Sequence, residues 1–186
     1  MEAIKKIEVN KIVKAILVAV LGTVLLTISA KIKIPFYPVP MTMQTFVILL
    51  LGIVLGSKIG LLTVALYLAE GIFGLPVFAG TPEKGIGLVY FTGPTMGYLI
   101  GFLVAVYFAG FFKYDKGLIN NLLKLLVSVS FIYILGLIWG GTLIGWDKPI
   151  FKLGAEPFLL AELFKIMLLL FLIPTFLKIK KIIKIT

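Results

Sequence analysis

Two oppositely charged residues lie inside an apolar stretch near the carboxyl end of the chain, and they are the strongest candidates for chemistry. Glu162 and Lys165 are three residues apart, so a helix places them on one face within reach of each other. A charged side chain inside a membrane span costs at least ~2.5 kcal/mol to insert, so such residues are usually functional. We expect a two-point anchor for a polar ligand, with a self-neutralising internal ion pair as the alternative.

Other polar residues lie near the ends of apolar runs and are weaker candidates. Glu70 can contact a ligand or can be a carboxylate at the membrane interface. Gln44, together with Thr42 and Thr45, can reach into a pocket or cap the start of a helix. Snorkelling of the long side chain to the membrane surface accounts for Lys124.

The composition describes a membrane protein without the residues for common catalytic or metal sites. The chain has 186 residues, 61% of them hydrophobic, and a mean hydropathy of +1.16. It has no cysteine and no histidine, which excludes cysteine–zinc sites and Cys or His nucleophile relays. All 18 basic residues are lysines that lie mostly at the ends of apolar runs, so the net charge of +10 indicates membrane topology rather than nucleic-acid binding. We expect no cofactor, no metal and no enzymatic activity.

Six apolar runs predict an all-α integral membrane protein with one domain over residues 1–186. The predicted spans are 14–30, 41–55, 59–73, 94–112, 122–139 and 158–177. The second and third runs are short enough to form a re-entrant pair, which would leave four crossings. We interpret the first run as a retained span rather than a cleaved signal peptide, because no small-residue cleavage pattern follows it.

The two faces of the predicted bundle differ in charge and in loop composition. The termini and the even-numbered loops carry eleven lysines and the odd-numbered loops carry five, so both termini are predicted to be cytoplasmic. Eight of the nine prolines lie on the outer side, where the loops at 31–40, 74–93 and 140–157 are long and aromatic. Such segments are typical of a transporter's binding site, so we expect structured outer loops over a ligand pocket. The alternative is that the prolines simply end helices at one face.

Small residues recur every four positions along two of the predicted spans. Gly93, Gly97 and Gly101 form one stripe, and Ala15 and Ala19 form a second on the first span. Such stripes permit close approach of two helices. The pattern leaves open whether the partner helix belongs to this chain.

Four motifs, taken together, resemble the BioY family, the biotin-binding S components of energy-coupling factor (ECF) vitamin transporters. They are PVPMTMQTF at 38–46, GLPVFAG at 74–80, GPTMGYL at 93–99 and PFLLAELFK at 157–165. The resemblance implies a six-helix membrane subunit whose outer loops close over biotin. The resemblance also implies a transmembrane coupling (T) subunit and two ATPase subunits as partners. The chain has no G-x-x-x-x-G-K-[ST] phosphate loop, so the energy for transport must come from elsewhere.

The resemblance also assigns residues to roles. Glu162 and Lys165 stand where the family has an aspartate and a lysine that contact the ligand, and the acid here is longer by one methylene. The remaining predicted ligand-binding residues are Gln44, Tyr37, Phe78, Gly80, Tyr90, Tyr98 and Glu70. Ala15 and Ala19 are predicted to contact the T subunit. The alternatives are an S component for another vitamin, a carrier that works without ATPases and, less favoured, an intramembrane enzyme.

Overall fold

The computed structural model describes residues 2–37, 41–115 and 117–183. Pro38, Val39 and Pro40, which begin the first motif, therefore lie outside the described residues. In chain order the described residues form α1 (Glu2–Lys31), β1 (Lys33–Ile34), β2 (Met41–Thr42), α2 (Gln44–Ile72), α3 (Leu88–Phe91), α4 (Met96–Phe111), α5 (Leu118–Ile144), α6 (Ile150–Gly154) and α7 (Glu156–Ile183).

Within the described residues, four helices are long and apolar enough to cross a membrane by length and composition. They cover Lys11–Lys31, Gln44–Ile72, Leu118–Ile144 and Glu156–Ile182, and α4 is a shorter apolar helix. Their exposed apolar side chains, such as Leu21 and Phe171, present an outer surface suited to lipid. The chain is thus a mostly helical, multi-pass membrane protein, as its composition predicts.

Helix α2 reverses direction at its middle and is therefore a hairpin of two antiparallel helical halves. The side-chain amide nitrogen of Gln44 donates to the Tyr67 hydroxyl at 2.9 Å, although these two residues would lie about 34 Å apart in one straight helix. The reversal occurs at Gly56, whose φ of 77° and ψ of 173° are readily accessible to glycine. The halves, 44–55 and 57–72, match the second and third predicted runs, and each is shorter than the ~30 Å apolar core of a bilayer.

The glycine stripe of α4 packs against helices of this same chain, which answers a question that the sequence left open. A methyl group on Gly101 would lie 2.6 Å from Ile132 Cα of α5. A methyl group on Gly97 would lie even closer to Leu135 O of the same helix. Near the other end of α4, a methyl group on Gly110 would overlap the backbone of Gly56 and Ser57 at the α2 reversal. Helix α4 is therefore held between α2 and α5, and the close backbone approach requires the small residues.

Helix α1 lies against α2, and its alanine pair is divided between two environments. Ala19 is 1% exposed, whereas Ala15 is half-buried. Gly22, one turn further, packs on Thr63 and Leu51. Because Ala19 is covered by its own chain, only Ala15 of the predicted pair remains accessible to another subunit.

The two ends of the bundle have different architectures. At the loop end, which contains segments 32–37, 41–43, 73–95 and 145–155, β1 pairs antiparallel with β2. The Trp139 indole N–H also donates to Gly93 O at 2.9 Å, which fixes the 73–95 segment to α5. The turn end contains the α2 reversal and residues 112–115 and 117, and there Lys180 Nζ donates to Ile53 O at 3.1 Å. In the described part of the chain, the long, hydrogen-bonded loops thus lie at one end, as the proline distribution predicts.

Candidate ligand-binding site

A cavity of about 610 Å³ opens at the loop end of the bundle. Its walls come from the β1–β2 hairpin, the first turns of α2, α4 and α7, the last turns of α5, helix α6 and segment 79–84. Most of the lining is apolar, with a few convergent polar groups, and the volume lies within the range of small-molecule sites. The cavity is therefore the candidate site among the described residues.

Glu162 and Lys165 lie in the wall of this cavity, on one face of α7. They are 4% and 6% exposed, and Lys165 Nζ lies 3.4 Å from Glu162 Oε2. The first turn of α2 meets them, since the Thr45 hydroxyl donates to Glu162 Oε2 at 3.0 Å and accepts from Lys165 Nζ at 3.0 Å. The first turn of α2 therefore lies level with the second turn of α7. The cavity occupies the space between this level and the loop end of the bundle.

The carboxylate of Glu162 is held entirely through one of its two oxygens. Oε2 accepts hydrogen bonds from Thr45, Lys165 and the Tyr133 hydroxyl, the last at 2.9 Å. Oε1 is buried and has no hydrogen-bond partner among the described residues. Because a buried carboxylate oxygen without a donor is costly, this atom is an acceptor suited to a ligand N–H group.

Gln44 also lines the cavity, and its amide is fixed by a chain of hydrogen bonds. Its Nε2 donates to the Tyr67 hydroxyl, which donates to Val77 O at 2.9 Å. Its Oε1 lies 3.5 Å from the Thr42 hydroxyl, at the limit of a hydrogen bond. The first half of α2 thus places an amide, held by these hydrogen bonds, in the wall of the cavity.

Two more predicted residues, Tyr98 and Gly80, belong to the cavity wall. The Tyr98 hydroxyl donates to Gly154 O at 2.7 Å, and its ring lies edge-on to Tyr133 with centroids 6.2 Å apart. Gly80 has a φ of 77°, and the aliphatic part of Lys84 lies directly over it. These residues form the aromatic side and the loop side of the cavity.

The other four predicted residues do not line the cavity. Phe78 and Tyr90 belong to the 73–95 segment and pack against each other with centroids 4.8 Å apart in a buried aromatic cluster, where the Tyr90 hydroxyl donates to Ala79 O. Glu70 accepts a hydrogen bond from the Thr23 hydroxyl at 2.8 Å and so links α2 to α1. Tyr37 is 86% exposed. Phe78 and Tyr90 therefore support the loop above the cavity instead of enclosing a ligand ring.

Tyr133 is a residue of the site that the sequence analysis missed. Its hydroxyl is a hydrogen-bonding group in the middle of an apolar run, which is the same signal that identified Glu162 and Lys165. Thr45 was considered only as a helix cap or a pocket residue, and the structure instead joins it to both charges. The cavity lysines Lys33 and Lys84 lie outside the predicted apolar spans, where charged residues carry no such signal.

Comparison with known proteins connects this architecture to a family of transporters. Residues 3–182 match the model of the BioY family. A probable biotin transporter BioY of Pyrococcus horikoshii is 36% identical over 152 residues, which cover 82% of this chain and 89% of that protein. The biotin transporter BioY of Thermotoga maritima is 36% identical over 145 residues, covering 77% and 84%.

A solved structure is similar over almost the whole chain. The crystal structure of the S-component for biotin from an ECF-type ABC transporter superposes with a TM-score of 0.73. It is 27% identical in sequence, and the match covers 91% of this chain and 93% of that one. The two proteins therefore share the same fold.

Proposed function

Because the chain belongs to the BioY family, we propose that it is the biotin-binding S component of an energy-coupling factor transporter. The family and these relatives are transporters, and the chain is a membrane transport protein rather than an enzyme. Biotin enters the cavity at the loop end of the bundle in this proposal.

The unpartnered Oε1 of Glu162 is the observation that carries the assignment to this ligand class. Biotin has a urea group with two N–H donors and one carbonyl acceptor. Oε1 would accept from a urea N–H, and Lys165, 3.4 Å from the same carboxylate, would donate to a urea oxygen. The apolar remainder of the cavity, including Phe102 and Ile132, suits the thioether ring.

The transport cycle that we propose follows from the position of the cavity and from the family. Both halves of α2 count as crossings, which makes six spans with both termini in the cytoplasm and the loop end outside. Biotin is captured at the outer face and delivered inward with a T subunit and two ATPases. Ala15, the accessible member of its pair, contacts the T subunit. A carrier that works alone and an S component for another vitamin are the alternatives.

Purification of the protein in detergent tests the proposal directly. We expect biotin to copurify and to be identified by mass spectrometry of the denatured sample. A Lys165→Ala variant, expressed and purified in parallel, controls for nonspecific carry-over and should contain much less biotin. If no biotin copurifies and micromolar biotin does not bind to the purified protein, the ligand assignment is wrong. A different vitamin in the same sample would select the alternative.

A further inference from the structure

The charges that line the cavity are unevenly distributed between its inner and its outer part. Glu162 and Lys165 neutralise each other at the inner part, where α2 meets α7. Two further lysines, Lys33 and Lys84, line the side formed by the loops. Glu162 is the sole carboxylate among the described lining residues, and neither loop lysine takes part in an ion pair within the described part of the chain. The loop side of the cavity is therefore cationic.

The loops hold both lysines at this position. Lys33 lies on β1 directly opposite Thr42 of β2, two residues before Gln44. The backbone N–H of Lys84 donates to Gly80 O at 2.8 Å, and its side chain folds back over Gly80. Lys31 anchors the same segment to α1, since its Nζ donates to Thr81 O at 2.6 Å and to Thr81 Oγ1 at 2.8 Å.

The inner part of the cavity is unsuitable for an anionic group. A ligand carboxylate there would face the free oxygen of Glu162, so that two acceptors of like charge would meet without a proton between them. Lys165 offers little compensation, because its charge is already neutralised by Glu162. A neutral urea has no such conflict, since it donates to the carboxylate and accepts from the ammonium.

We propose that Lys33 and Lys84 form the binding subsite for the ligand's carboxylate. This inference rests on the proposed function and adds an orientation to it. The urea ring lies inside, against Glu162 and Lys165, and the acid tail points outward to the loops. The bound ligand connects the β1–β2 hairpin with segment 79–84, because one anion contacts a lysine from each.

Binding of biotin and of biotinamide, in which a neutral amide replaces the acid, tests the subsite. By titration calorimetry in detergent we expect the wild-type protein to bind biotin at least tenfold more tightly than biotinamide. The Lys33→Gln, Lys84→Gln double variant should lose this preference and keep the affinity for biotinamide within threefold. The preference should also fall as salt is raised, because partly exposed charges are screened.

Lys152→Gln is the matched control, since Lys152 is an exposed lysine of the same end that does not line the cavity. It should leave both affinities unchanged. The subsite is refuted if the double variant, folded as judged by gel filtration and thermal unfolding, still prefers the acid. It is equally refuted if Lys165→Met removes the preference, which would place the carboxylate at the inner part. Failure of the wild-type protein to bind biotin would instead refute the proposed function.

Discussion

Replacement of Glu162 by glutamine tests the central interaction of the site with a change of almost no volume. Three donors converge on Oε2, whereas Oε1 is buried without a hydrogen-bond partner among the described residues and is the oxygen proposed to accept from the ligand. If the glutamine oxygen keeps the three donors, its NH₂ group faces the ligand N–H, and two donors meet. If the amide is rotated, the NH₂ group faces Thr45, Tyr133 and Lys165 instead. Neither orientation satisfies both sets of donors.

The expected loss of affinity follows from these two defects. A hydrogen bond to a charged group is worth about 1.5–3 kcal/mol, and a buried donor without a partner costs about 1–3 kcal/mol. The lower limits together come to about 2.5 kcal/mol, which is roughly a 60-fold weaker Kd at 1.4 kcal/mol per factor of ten. We therefore expect Glu162→Gln to weaken biotin binding by about 60-fold or more.

Calorimetry on purified protein in detergent measures the effect, and two variants control for it. Glu162→Asp keeps the charge opposite Lys165, so its loss should be smaller than that of the glutamine variant. Tyr133→Phe removes one of the three donors to Oε2 without changing the ring, and it serves if Glu162→Gln does not fold. A folded Glu162→Gln protein with a Kd within threefold of the wild type would refute the role of the free oxygen.

Three further predictions concern the charged pair, the packing and the outer surface. Lys165→Ala should weaken biotin binding at least tenfold while the protein still inserts into the membrane; unchanged affinity would return the pair to a purely structural role. Gly110→Ala should lower the thermal unfolding temperature, because its methyl group would overlap the backbone at the α2 reversal. Gly140→Ala, whose methyl group would lie 3.8 Å from its nearest neighbour, is the control and should have little effect. Ala19→Trp should destabilise the isolated subunit, because Ala19 is buried in its own chain. Ala15→Trp should leave biotin binding unchanged and impair copurification with the T subunit. If both variants destabilise the subunit equally, Ala15 also packs internally.

The helical membrane class and the central pair of the site could be read from local patterns. Lipid selects long apolar runs regardless of their partners, so hydropathy located the helices that cross or enter the membrane. Helical periodicity put Glu162 and Lys165 on one face, because their separation of three residues is a local property. The same patterns located the loop-rich end through its prolines.

Packing across long stretches of chain decided the rest of the site. Thr45 is 117 residues from Glu162 and Tyr133 is 29 residues from it, so no local pattern reports that their hydroxyls share one carboxylate oxygen. Phe78 and Tyr90 have the composition of ligand-stacking residues, yet they face the protein interior. Residue type and spacing show which groups a helix or loop can offer. Whether a group reaches the cavity depends on the reversal at Gly56 and on the depth at which α2 begins, which only the folded chain establishes.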